Sequence, residues 1–146
     1  MKKLLLITIL CVCAFLVLGT NSFADNEADS PETSVDVDEY QYTDAIAATV
    51  GFSGSYVNAS LAVYPQGNQG VTKIIVTMSI YSVSPSGTRT RVGYWPNEQQ
   101  TSFPFSAYKS VGNAQSGYQY EFSGSAKVYA GSQYETVDFS TIKMKS

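Results

Sequence analysis

The chain has 146 residues, of which nine are basic, twelve are acidic, none is histidine and two are cysteine. Both cysteines, Cys11 and Cys13, lie in a segment that we expect to be removed, so the remaining chain has neither thiol nor imidazole. This composition excludes disulfide bonds, Ser-His-Asp and Cys-His catalytic sites, and the side chains that zinc and copper prefer. We accordingly expect no catalytic activity, no cofactor and no metal.

The first 24 residues have the three parts of a secretory signal peptide. Lys2 and Lys3 are basic, residues 4–18 are apolar, and residues 22–24 read Ser-Phe-Ala, with small side chains at the positions that a signal peptidase recognises. A transmembrane anchor is the alternative, but the apolar run is short for a hydrocarbon core about 30 Å thick. We therefore predict a signal helix cleaved after Ala24, a secreted, extracellular protein and no stable membrane anchor.

Residues 25–44 form a leader that is acidic throughout. It holds eight carboxylates and no base, a charge of −8, whereas residues 45–146 hold seven bases and four acids, a charge of +3. A segment with so few apolar side chains cannot offset the entropy of ordering, so we predict that it is disordered. The alternative is a calcium loop around Asp36, Asp38 and Glu39, but the glycine and the distal glutamate of such a loop are missing. A further hypothesis is that the leader folds over the basic residues of the domain and screens them.

Residues 45–146 alternate between apolar and polar side chains with a period of two, which is typical of half-buried β-strands. The clearest case lies at the centre, where Ile74, Val76, Met78 and Ile80 share one face. A face this apolar must be covered by a second sheet. Strands are predicted over residues 46–52, 57–63, 71–83, 88–95, 103–105, 118–128 and 134–144, separated by turns.

Prolines and odd spacings predict irregularities in three of these strands. The pair Pro96-Asn97 is expected to close the fourth strand. Phe103 and Phe105 are expected to share one side of the fifth, which is predicted at a sheet edge because Pro104 cannot donate a ladder hydrogen bond. The odd separation of Phe139 and Ile142 indicates a β-bulge in the last strand.

Seven short strands with no amphipathic helix predict an all-β fold, an antiparallel β-sandwich. An immunoglobulin-like Greek key is the first choice of topology. A jelly roll and a closed barrel are the alternatives, because sequence determines strands better than their order. The predicted organisation is a signal peptide over 1–24, the leader over 25–44 and one β-sandwich domain over 45–146.

Three segments resemble those of a known family. They read Val-Thr-Lys-Ile-Ile-Val-Thr-Met at 71–78, Tyr-Gln-Tyr at 118–120 and Lys-Val-Tyr-Ala-Gly-Ser-Gln-Tyr-Glu-Thr-Val at 127–137. The chain resembles small secreted proteins of Gram-positive, largely clostridial bacteria, a family with no assigned function, and differs from them in its long acidic leader and in having only one tryptophan, Trp95. The resemblance implies a secreted immunoglobulin-like sandwich and carries over no catalytic or binding residue.

Exposed aromatic and basic side chains are the candidate ligand-binding residues. A tyrosine on a flat sheet can stack on a sugar ring or anchor a protein partner, although tyrosine also favours strands for structural reasons alone. Five bases, Lys73, Arg89, Arg91, Lys109 and Lys127, could form a patch for anionic cell-wall polymers or nucleic acid, but a domain charge of +3 is too small to indicate either, and scattered solubilising charge is the alternative. The predicted binding residues are Tyr56, Tyr64, Tyr81, Tyr129, Arg89, Arg91 and Trp95, where Trp95 is either an exposed anchor or a core residue.

The sequence thus predicts a secreted, non-catalytic binding or interaction module whose partner is a cell-surface glycan or a protein. One alternative is a secreted antimicrobial or toxin-like protein, which an amphipathic helix or long lipid-facing hairpin would favour. The other is a diverged carbohydrate-active enzyme, because Glu121 and Glu135 could approach each other across the last two strands.

Overall fold

The computed structural model describes residues 33–34 and 40–146, which form β-strands and no helix. Seven strands are long and one has two residues. This confirms the all-β prediction. The strands are β1 (Thr33–Ser34), β2 (Thr43–Ser53), β3 (Tyr56–Pro65), β4 (Lys73–Val83), β5 (Arg89–Gln100), β6 (Phe105–Val111), β7 (Gln119–Ala130) and β8 (Gln133–Met144).

The strands form two four-stranded sheets in which every pair of neighbours is antiparallel. Sheet 1 has the order β1-β2-β3-β6 and sheet 2 has the order β5-β4-β7-β8. Three hairpins, β2-β3, β4-β5 and β7-β8, stay within one sheet, whereas the other connections between long strands cross from one sheet to the other. The two sheets pack face to face, because each has one apolar side that must leave water.

Alternating residues of each strand supply the layer between the sheets. On β4, Ile74, Val76, Met78 and Ile80 are completely buried, as the period of two predicts. The register of β7 places Phe122 directly opposite Ile80 and continues this apolar face. Sheet 1 covers these side chains with buried residues of its own, Ile46, Ala48, Val50, Val57, Ala59, Leu61, Val63 and Phe105.

Strand β5 does not end at Pro96-Asn97, as predicted, but continues to Gln100. Its pairing with β4 shifts register twice, once between Arg91 and Gly93 and once around Pro96-Asn97, where Asn97 has a φ of 52°. Extra residues on one strand leave a peptide group outside the ladder, which suits a proline that has no N–H to donate. The strand survives its proline because β5 lies at the edge of sheet 2.

Strand β6 lies at the edge of sheet 1, as the position of Pro104 predicts. It begins at Phe105, which is buried, whereas Phe103 precedes the strand and is 38% exposed, so the two rings do not share one side. The strand then runs to Val111.

The bulge predicted between Phe139 and Ile142 is absent. The pairing of β7 with β8 is continuous from Gln119 to Ala130, so alternation is preserved through β8. As a result Thr141 takes the buried position and Ile142 is 47% exposed. The apolar character of Ile142 suggested an inward position that the regular pleat does not allow.

Ordered structure begins before Ala45, the predicted boundary. Tyr42 and Thr43 are buried, and the carboxylate of Glu135 accepts hydrogen bonds from the backbone N–H of Tyr42 (2.9 Å) and from the hydroxyl of Thr43 (2.6 Å). Strand β1, inside the stretch predicted to be disordered, pairs with residues 47–48 of β2. The rest of the leader, its calcium-loop candidate and the signal segment lie outside the described residues.

Gly124 allows β7 to lie close against its neighbours. A Cβ atom at this position would collide with the backbone carbonyl of Thr77 and with the ring of Phe139. We expect Gly124→Ala to lower the free energy of unfolding by about 1–3 kcal/mol, because overpacking forces the backbone to move. Ser125→Ala is the control, since Ser125 lies next to it on the outer face. Equal urea-unfolding curves for the two variants would contradict this account.

Candidate binding face

The outer face of sheet 2, which points away from sheet 1, carries charged and aromatic side chains next to each other. On β4 it is formed by Lys73, Ile75, Thr77, Ser79 and Tyr81, which alternate with the buried residues. The antiparallel register places side chains of β5, β7 and β8 beside them in rows across the sheet. The rows at the two ends of the face are aromatic and cationic, and most side chains between them on β4, β7 and β8 are small and polar.

The first end is an arginine–tyrosine cluster made of Tyr81, Arg89, Arg91, Tyr94 and Glu121. The guanidinium carbon of Arg89 lies 3.2 Å from the centroid of the Tyr81 ring, and that of Arg91 lies 4.4 Å from the Tyr94 ring. Arg89 also donates two hydrogen bonds to Glu121, from Nε to Oε2 (2.9 Å) and from an Nη atom to Oε1 (3.0 Å). Such a bidentate pair on an aromatic ring fixes the guanidinium plane.

These contacts change the acid–base properties of the cluster. Hydrogen bonds from Arg89, followed by weaker contributions from Ser123 and Ser140, hold the pKa of Glu121 below its usual value of 4.5. The same ion pair raises the pKa of Arg89. The Ser79 side chain, followed by Arg89, lowers the pKa of Tyr81. The shifts of Arg89 and Glu121 favour their charged forms, so this ion pair persists at neutral pH.

The second end is a lysine–tyrosine cluster made of Lys73, Lys127, Tyr129 and Tyr134. The two tyrosine rings face each other across β7 and β8 with centroids 5.0 Å apart. Lys73 Nζ lies 4.4 Å from the Tyr129 ring centroid, and Lys127 Nζ lies 5.3 Å from that of Tyr134. Each lysine therefore lies over an aromatic ring, and within the part of the chain that the structure describes neither has an acidic partner.

The surface between the clusters is a polar middle on β4, β7 and β8, with Tyr94 at its β5 edge, opposite Ser79. Apart from Ile75, its members are short hydroxyl side chains that project little from the sheet, together with one exposed acid, Asp138, which lies opposite Ser125. The hydroxyl-bearing members are Thr77, Ser79, Ser123, Ser125 and Ser140.

The structure brings four of the seven predicted binding residues to this face, namely Tyr81, Tyr129, Arg89 and Arg91. It places the other three elsewhere. Tyr56 and Tyr64 are 55% and 43% exposed on the outer face of sheet 1, on the opposite side of the sandwich. Trp95 is half-buried and packs against the core, so the second of its two predicted roles is the one observed.

Tyr94 and Tyr134 also lie on this face, although neither was among the predicted binding residues. In a regular strand Arg91 and Tyr94 would point to opposite sides, because they are three residues apart. The register shift between Arg91 and Gly93 brings both to the outer face and turns Trp95 inward. Gly93, which lies at the shift, is the signal that could have indicated it, because a glycine inside a strand often marks a bulge. Tyr134 could have been found from the hairpin, since the turn at 131–132 places it opposite Tyr129.

The outer face of sheet 1 is chemically different. Ala47, Thr49, Ser60 and Ala62 form a shallow floor beside Tyr108, with a volume of about 470 Å³. The side chains that line it carry no charge.

Lys109, one of the five bases considered for an anionic polymer, does not lie on the outer face of sheet 2. Its Nζ pairs with Glu98 (2.5 Å) between the edges of the two sheets.

The carboxylates do not converge as the enzyme alternative requires. Glu121 lies opposite Ile142 on the outer face of sheet 2, whereas Glu135 lies opposite Val128 and turns inward to the start of β2. The expectation that the two could approach each other is therefore wrong. Among the described residues there is also no group of three metal-ligating side chains. None of the described segments is a helix long and apolar enough to cross a membrane.

Comparisons with protein-family models, with curated proteins and with solved structures returned no match for this chain.

The Arg89–Glu121 pair predicts a specific pH dependence. A carboxylate whose pKa is lower in the folded chain than the unfolded value of 4.5 stabilises the fold above that pH, and this contribution disappears as the pH falls through the lowered value. We expect Glu121→Gln to lower the thermal midpoint by about 2–4 °C at pH 7, since partly exposed pairs are weak. The difference from the unaltered protein should shrink below pH 4.5.

Asp138→Asn is the control for this measurement. Asp138 lies on the same face and forms no ion pair among the described residues. Its removal should leave the thermal midpoint at pH 7 nearly unchanged. A Glu121→Gln difference that stayed constant from pH 7 to pH 3 would show that the carboxylate charge does not stabilise the fold.

Proposed function

We propose that the protein is an extracellular, non-catalytic module that binds carbohydrate through the outer face of sheet 2. One observation carries the proposal: two pairs of tyrosine rings, each with cations against them, lie at either end of one flat hydroxyl-rich sheet surface. Tyrosine rings offer apolar area to the C–H faces of a sugar, and hydroxyl side chains exchange hydrogen bonds with its hydroxyls. A protein partner is the competing ligand, and it would favour a larger apolar centre than this face has.

The exposure of the outermost rings supports a role in binding. Tyr94 is 48% exposed and Tyr134 is 52% exposed, so neither ring is committed to the core. A structural tyrosine of a sandwich buries most of its ring, as Tyr120 does at 3%. Rings that remain half-exposed beside a cation are available to a ligand. Because their neighbours already restrict their rotamers, binding costs little further side-chain entropy.

The immunoglobulin-like topology is part of the same proposal. In such domains strands A, B and E form one sheet, and strands C, F and G form the other. The order β2-β3-β6 in sheet 1 corresponds to A-B-E, and the order β4-β7-β8 in sheet 2 corresponds to C-F-G, with β5 as an added strand beside C. This correspondence supports the Greek key, and it agrees with the fold that the resemblance to secreted clostridial proteins implies.

Export rests on the signal sequence, and it yields a simple prediction. Cleavage after Ala24 leaves Asp25 as the first residue. We expect the intact mass of the protein recovered from the medium of an expressing bacterial culture to equal that of residues 25–146. Retention of the full chain in the membrane fraction would contradict export, and it would favour the anchor alternative.

A paired substitution tests the binding face. We expect Tyr134→Ala to weaken binding to a glycan that the unaltered protein binds by about fivefold or more, since an exposed aromatic anchor contributes on the order of 1 kcal/mol or more to the free energy of binding. Binding is measured on a glycan array followed by titration of each hit with the exported protein. Tyr56→Ala is the matched control, because Tyr56 has nearly the same exposure on the other sheet.

Equal effects of the two tyrosine substitutions would place the binding surface elsewhere. If the folded protein binds none of the carbohydrates on the array, the proposal is ruled out. The antimicrobial alternative predicts a different result, namely leakage from bacterial cells or vesicles on addition of the protein.

A further inference from the structure

We infer that the ligand is a linear polysaccharide with carboxylate groups on its sugars, and that it lies along β4 and β7 and contacts both clusters at once. This inference rests on the proposed function and narrows it to one class of carbohydrate. It depends on two properties of the outer face of sheet 2: the separation of its ends and the cations that no described acid neutralises.

The two clusters lie at opposite ends of the same strands. Their outer rows, at Lys73 and Tyr81, are eight residues apart on β4, which corresponds to about 26 Å at about 3.3 Å per residue. Their nearest members, Lys127 opposite Ile75 and Tyr94 opposite Ser79, are four residues apart along β4, or about 13 Å. A chain of several sugars can contact the outer rows of both clusters, whereas a disaccharide cannot extend from one outer row to the other.

Among the described residues, three cations on this face have no acidic partner. Lys73, Lys127 and Arg91 each lie against an aromatic ring, and none of them forms an ion pair within residues 40–146. By contrast, Arg89 is neutralised by Glu121. The tyrosine rings hold the three cations in position while no acid of the described domain neutralises them, so an anionic ligand finds them already arranged.

The chemistry of the cations favours carboxylates on sugar rings. Arg91 presents a guanidinium fork that matches a carboxylate, and Arg89 shows this geometry with Glu121. Rings such as those of Tyr94 and Tyr134 favour a ligand that also has apolar ring faces. A polyphosphate backbone lacks such faces. A nucleic acid would demand more positive charge than this face carries.

Asp138 gives the inference its sharpest test. It is exposed between the two clusters, opposite Ser125, where it repels any anion that lies along the sheet. Asp138→Asn should therefore strengthen binding of an anionic chain by about two- to fivefold, the effect expected of one exposed charge. This gain should shrink as the salt concentration rises, because it arises from a charge exposed to solvent.

The experiment is a calorimetric titration of the exported protein with oligogalacturonates of two, four and eight sugars. Maltooligosaccharides of the same lengths are the neutral control, and polyphosphate and single-stranded DNA are the competing anions. We expect the eight-sugar chain to bind at least about tenfold more tightly than the two-sugar one, because the second contact becomes intramolecular. Binding should weaken as salt rises.

Substitutions at the two ends then test simultaneous contact. Arg91→Gln and Lys127→Gln should each reduce the affinity for eight sugars towards that for two. Tyr56→Ala, on the other sheet, should leave the length dependence intact. Tighter binding of polyphosphate or DNA than of the eight-sugar chain would overturn the assignment to carboxylated polysaccharide.

Failure of this inference and failure of the proposed function give different results. Maltooligosaccharides that bind as well as oligogalacturonates, with loss on Tyr134→Ala, would keep carbohydrate binding and overturn the anionic ligand. Equal affinity for two and eight oligogalacturonate sugars would overturn the two-ended contact alone. No binding of either series, together with no hit on the glycan array, would end both proposals.

Discussion

The burial of one face of β4 determines what its other face can do. Ile74, Val76, Met78 and Ile80 must leave water, and the pleat then turns the residues between them outward. The chain has no disulfide bond in the described domain, so this apolar layer carries most of the stability. The outward positions of sheet 2 do not contribute to this layer, so cations and tyrosines can occupy them without weakening the core.

The register shifts of β5 convert an edge strand into part of the binding face. Without the shift between Arg91 and Gly93, Tyr94 would point into the sandwich and Trp95 would point out. With it, Arg91 and Tyr94 lie side by side, while Trp95 packs over Gly93 near the core. The same irregularities twist the edge and interrupt its row of free N–H and C=O groups, which protects β5 from pairing with another chain.

Alternation made most of the fold predictable from sequence, because a period-two pattern over 118–128 leaves Tyr120, Phe122 and Val128 with only one way to be buried. It failed where backbone geometry overrides side-chain chemistry. Ile142 faces water because the ladder of β8 is continuous, and Phe103 does so because β6 begins two residues later.

On the outer face of sheet 2, Arg89 and Arg91 were predictable from sequence. The juxtaposition of Lys73 with Tyr129 was not, because it depends on the register of β4 and β7, which local sequence does not encode.

Because each cation on this face lies against an aromatic ring, its side chain has fewer rotamers than an isolated surface charge has. A lysine or arginine alone on a sheet samples many rotamers, and a ligand that fixes it must offset that lost entropy. Against a tyrosine ring part of that ordering has already occurred during folding, as with Lys127 on Tyr134 and Arg91 on Tyr94. Glu121 adds a second restraint, because its ion pair holds Arg89 on Tyr81. A surface arranged in this way is rigid at both ends and smooth between them, and such a shape suits an extended chain better than a compact molecule.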